Sequence, residues 1–198
     1  MKLLHILPAL AWLVISVPAL ANSSDGSFAI KGYGARKCSD FVAQIKAKNE
    51  NRINRYVGWI AGYFSAINEI RPETFDYLSW QNLNTASLMV MKYCERNSEE
   101  RFATAVARLR EALKASRLAS RSAMVKITTG KKFFYLYQET LRQAQLKLQQ
   151  AGYDPGPADG AYGETTAKAL KQFQAKNKLP ASGLPDQPTL YLLMLKKP

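Results

Sequence analysis

The chain has 198 residues and a formal net charge of +13, and its only histidine, His5, lies inside an apolar leader. Loss of that leader leaves no histidine, which excludes serine–histidine and cysteine–histidine nucleophile pairs and the histidine-containing zinc sites of metal-dependent peptidases. The excess of lysine and arginine implies attraction to polyanions, weighed against the plainer reading of a basic protein kept soluble by its charge.

Lys2, an apolar run from Leu3 to Val17 and the small-residue triplet Ala19, Leu20 and Ala21 describe a secretory signal peptide over residues 1–21, cut before Asn22. The run is shorter than the roughly 20 apolar residues that span a bilayer, and no later stretch is free of charge over that length. No transmembrane segment is therefore expected in the mature protein. No cysteine follows Ala21 to take a lipid, so the expected location is periplasmic. Partners for the positive charge are then cell-wall carboxylates or lipid phosphates rather than nucleic acid. Cys38 and Cys94 are the two cysteines, and in an oxidising compartment a distant pair forms a disulfide. The alternative, a catalytic thiol, lacks a partner base.

Residues 22–34 are rich in serine and glycine and read as a flexible segment. Helical spacing begins near Cys38, with Phe41 and Ile45, and continues through Ile53, Val57, Ile60, Phe64 and Ile67, until Arg71-Pro72 stops the helix. Another helix is expected from Asp76 or Ser79 to Cys94, with Leu83, Val90 and Cys94 on one face, which brings Cys94 to Cys38. Phe102, Val106, Leu109 and Leu113 give the next stripe, with Ser98 placed to cap it. Residues 35–115 thus form a disulfide-stapled helical domain. In residues 116–136 basic side chains occur without an acid, and Ile127 to Tyr137 read ITTGKKFFYLY. This is a basic linker, in which Thr129 and Gly130 are suited to turn a short hairpin.

Residues 137–198 hold three helical pieces. Leu141, Ala144 and Leu148 share one face before Gly152; a loop stiffened by prolines and glycines follows. Thr166, Ala169, Leu170 and Phe173 mark the second helix, and Asp186 caps a third that carries Thr189, Leu190, Leu193 and Met194. The fold class is therefore all-α: a stapled helical N-terminal domain and a three-helix C-terminal module.

The C-terminal residues carry a recognisable series: L-x-x-x-G-Y at Leu148, Gly152 and Tyr153; D-G-x-Y-G from Asp159; T-x-x-A at Thr166 and Ala169; F-Q at Phe173 and Gln174; L-P-x-S-G from Leu179; and D-x-P-T from Asp186. In this order they resemble the type 1 peptidoglycan-binding domain, a three-helix module of cell-wall proteins. The resemblance implies noncatalytic attachment to peptidoglycan on behalf of a partner domain. Tyr153 and Tyr162 are candidates to pack on a sugar ring, and Lys168 and Lys171 to meet stem-peptide carboxylates. Asp159 is either a further contact or the acceptor of a turn hydrogen bond.

In the N-terminal domain, C-S-D-F from Cys38, W-x-x-G-Y from Trp59 and C-x-x-N from Cys94 resemble the HdeA-type family of small helical periplasmic proteins, which includes acid-stress chaperones. The resemblance implies binding of unfolded or partner periplasmic proteins through apolar surface exposed at low pH, with Asp40, Glu69 or Asp76 as carboxylates whose protonation loosens native contacts. Trp59, Gly62 and Tyr63 have an ordinary explanation as helix packing. No catalytic residue, metal or cofactor is expected. The rival is a glycan-cleaving enzyme using a carboxyl acid without histidine, for which Glu69 and Glu73 are the carboxylates near a helix end.

Overall fold

The computed structural model describes Ser23 and residues 27–129 and 132–195. The leader over residues 1–21, most of the flexible segment's first five residues and the Gly130 turn lie outside them. Seven α-helices and one two-stranded sheet occur among the described residues, so the architecture is mostly helical as expected. No helix among them is long and apolar enough to cross a membrane.

Four helices build the N-terminal part: α1 (Cys38–Lys46), α2 (Glu50–Ile70), α3 (Leu83–Cys94) and α4 (Phe102–Leu113). Asn49 and Asn82 start α2 and α3 by accepting the N–H of Arg52 (3.2 Å) and Thr85 (2.8 Å), which satisfies donors that have no partner within the helix. The buried stripe of α2 is Tyr56, Ile60, Phe64 and Ile67, with Ile53 and Val57 at its margins. Phe41, Tyr56 and Phe102 bring three helices together, with ring centroids 4.7–4.9 Å apart. Burial pushes the Tyr56 phenol up to about 12, so it stays neutral in this cluster. A disulfide joins Cys38 to Cys94, Cα to Cα 4.8 Å, and fastens α1 to α3.

Two expectations are corrected. Helix α3 begins at Leu83 rather than at Asp76 or Ser79, because the backbone there pairs with a later segment. Phe75 N–H donates to Leu118 C=O (2.7 Å), Leu118 N–H to Asp76 C=O (2.8 Å), and the Asp76 carboxylate accepts the Leu78 N–H (2.9 Å). Leu83 is 38% exposed, and the inward face is Ala86, Ser87, Val90 and Cys94. Ser98 does not cap α4: the N-cap is Arg101, which gives no side-chain bond. Ser98 C=O instead accepts Ser39 N–H (2.9 Å), and Phe102 N–H donates to Arg36 C=O (2.8 Å), so backbone pairing positions this helix start.

The segment expected to be a basic linker is folded. Strands β1 (Met124–Thr129) and β2 (Lys132–Tyr137) form an antiparallel hairpin in which Val125 pairs with Leu136 and Ile127 with Phe134. Ile127 and Leu136 are buried, whereas Met124, Phe133 and Tyr135 are more than half exposed on the opposite face. Period-two alternation accounts for this division. The Lys126 ammonium lies 4.3 Å from the Phe133 ring centroid on that outer face.

Strand β2 runs directly into α5 (Gln138–Gln150), followed by α6 (Glu164–Lys176) and α7 (Gln187–Leu195). These three helices are docked on the N-terminal part. Thr140 Oγ1 donates to Ser79 C=O (3.1 Å), and Gln187 bridges the 80–82 backbone by donating to Trp80 C=O (2.6 Å) and accepting from Asn82 N–H (3.1 Å). The Lys92 ammonium of α3 sits 5.0 Å from the Tyr191 ring of α7.

Candidate functional site

Helices α5, α6 and α7 are joined by two loops that repeat one device. Gln145 of α5 is buried and clips the first loop: its Oε1 accepts Gly160 N–H (2.8 Å), and its Nε2 donates to Ala161 C=O (2.9 Å) and Thr166 Oγ1 (3.1 Å). Gln174 of α6 repeats these bonds in the second loop, with Gly183 N–H (2.7 Å), Leu184 C=O (2.9 Å) and Thr189 Oγ1 (2.8 Å). Each amide satisfies a glycine N–H and a carbonyl in its turn, and adds a bond to a threonine hydroxyl that itself donates to Pro155 C=O or to Asp186 Oδ1.

Gly160 and Gly183 occupy the left-handed region at φ +75° and +76°. At Gly160 a Cβ would collide with Gln138 C=O and approach its Cγ to 2.5 Å. Gly160→Ala therefore meets both a backbone and a packing penalty, and should lower stability by about 2 kcal/mol. Thermal unfolding checks this, and an unchanged midpoint would contradict it.

Around these loops the predicted residues take separate places. Asp159 accepts Ala161 N–H (2.8 Å) through Oδ1, so the turn-forming role is realised. That bond, then the Gln145 amide at 3.4 Å, holds its carboxyl below the usual range. Tyr162 is half-buried and donates its phenol proton to Gly183 C=O (2.9 Å), tying the first loop to the second; burial raises its pKa. Lys171 lies with its stem against Gly183, and Lys168 is exposed three residues earlier on α6. Tyr162, Lys171 and Lys168 thus share one side of the module. Tyr153 is apart from them, edge-on to Phe173 with centroids 5.9 Å apart.

Asp186 caps α7 as expected, accepting Thr189 N–H (3.0 Å). Thr166, Ala169, Leu170 and Phe173 are all buried, so the conspicuous helix after Gly163 builds the core. The roles of Gln145 and Gln174 were not foreseen. A signal was present: each glutamine precedes a small polar residue and glycine, with the glycine 15 and 9 positions on respectively, and then a threonine.

The same stretch is similar to a known family. Residues 137–193 match the family described as "Putative peptidoglycan binding domain". Both clips, both turn glycines, α5, α6 and most of α7 of the peptidoglycan-binding module fall within the match. The match supports peptidoglycan binding by this part of the chain. No curated protein matches the chain.

Proposed function

We propose that this chain is a noncatalytic periplasmic protein whose peptidoglycan-binding module holds the disulfide-bonded helical domain at the cell wall. The observation that carries this reading is the family match over residues 137–193, folded with both glutamine-clipped loops intact. The side of the module bearing Tyr162, Lys168 and Lys171 is turned toward the wall, where a tyrosine ring suits a sugar face and the ammonium groups suit carboxylates. Tyr153 contributes mainly to packing.

The helical domain is then the part presented to another protein, an unfolded client or a periplasmic partner, as the resemblance to the HdeA-type family implies. Asp76 accepts hydrogen bonds from Leu78 N–H and Asn68 Nδ2 within this domain. Suppression of client aggregation by the purified protein at acidic pH is the expected result. For the rival enzymatic reading, Glu69 and Glu73 are both exposed.

The mature protein should sediment with purified insoluble peptidoglycan and release no soluble muropeptides from it. Recovery of the protein in the supernatant overturns the tethering role. Release of muropeptides overturns the noncatalytic one.

A further inference from the structure

Between the module and the segment that leads into the hairpin lies a cleft of about 480 Å³, lined by residues 117–123 on one side and by α5 and the Asp159 turn on the other. Its volume is in the range that receives a ligand of a few residues. Arg117, Arg121 and Arg142 all line it. Arg142 is neutralised by a two-point contact with Glu139, at 2.6 Å for each nitrogen. The other two guanidinium groups are not ion-paired among the described residues. Arg117 is held in place by donating to Lys114 C=O (2.7 Å) and Thr74 Oγ1 (3.3 Å), and Arg121 lies 5.9 Å from the Phe75 ring centroid. The cleft therefore has two cations without an ion pair, Arg117 and Arg121, on one wall, and Asp159 beside the paired Glu139 and Arg142 on the other.

We infer that this cleft binds the carboxylate-bearing stem peptide of peptidoglycan. Guanidinium groups form paired hydrogen bonds with a planar carboxylate, and uncompensated cations in a concave site favour an anionic ligand over a neutral sugar. Asp159 gives the cleft a second sign, which matches a peptide carrying an ammonium group on a diamino acid beside its carboxylates. The site lies outside the face of Tyr162, Lys168 and Lys171. It also uses residues 117–123, which precede the family match, so it belongs to the way this chain joins its two parts. The inference rests on the wall-binding reading and names the part of the wall that is recognised.

Calorimetry on the mature protein tests it with four probes: a soluble stem peptide with free carboxylates, the same peptide amidated, inorganic phosphate, and phosphatidylglycerol vesicles. The free peptide should bind, and amidation should weaken it about ten-fold, the size of one charge-assisted contact. Arg121→Gln should cause a similar loss. Among the described residues that side chain makes no hydrogen bond or ion pair, so the fold is spared, and Arg121→Lys should restore part of the affinity. Unchanged peptide affinity in R121Q overturns the inference, as does binding of phosphate or vesicles with no binding of peptide. Wild-type protein retained on insoluble peptidoglycan without affinity for the soluble peptide overturns this inference and leaves wall binding standing. Loss of that retention removes wall binding itself.

Discussion

Replacing Cys38 and Cys94 together with serine should lower the stability of the protein by about 4 kcal/mol. The bridge closes a loop with a sequence separation of 56, and on the chain-entropy account that much freedom returned to the unfolded chain gives this magnitude. The folded side adds to the loss, because both positions are wholly buried and two hydroxyls would replace an apolar bridge. The effect should be visible as a lower urea midpoint in the variant. In the wild type, a reductant should act only as fast as the α1–α3 contact opens, because neither sulfur is exposed. A variant with the wild-type midpoint would show that aromatic packing among Phe41, Tyr56 and Phe102 fixes this domain without the bridge.

Gln174→Ala should cost about 3 kcal/mol, and Gln145→Ala a similar amount. Each truncation removes four hydrogen bonds and leaves a buried glycine N–H and a loop carbonyl to find other partners. Stranded buried groups of this kind account for the size of the loss, rather than the bonds themselves. The two glutamines share no partner, so their effects should add. The sum is comparable to the whole stability of a typical domain, and the double variant should lose the module and with it retention on peptidoglycan. Calorimetric unfolding of the single and double variants measures this. Losses below about 1 kcal/mol would mean that water replaces the amide in each loop.

The same glutamines show how far local pattern carried. Gln174 stands in a recognisable F-Q pair, and Gln145 carries no local signal, because a polar residue within a helix gives no periodic signal of burial. Its burial depends on the loop that returns over it 15 residues later. Asp159 and Asp186 were legible because their bonds reach two and three residues away, within a single turn. Ser98 misled for a related reason: a capping residue type sat near a helix whose start is set by Phe102 N–H reaching back to Arg36. The start of α3 was misplaced because Asp76 pairs with Leu118, far along the chain.

By itself, the sequence determined the helical class, the candidate disulfide pair and the three-helix module, since these follow from periodicity, cysteine count and turn residues acting over a few positions. Only the tertiary structure decided the bounds and register of the hairpin strands, Met124–Thr129 and Lys132–Tyr137, and which of their faces is buried. It alone docked the module onto residues 79–82 through Thr140 and Gln187, and left Arg117 and Arg121 facing Asp159 across a cleft. The physical reason is separation: partners some 40 to 110 residues apart meet only when buried apolar faces close, and one-dimensional pattern carries no record of which faces those are.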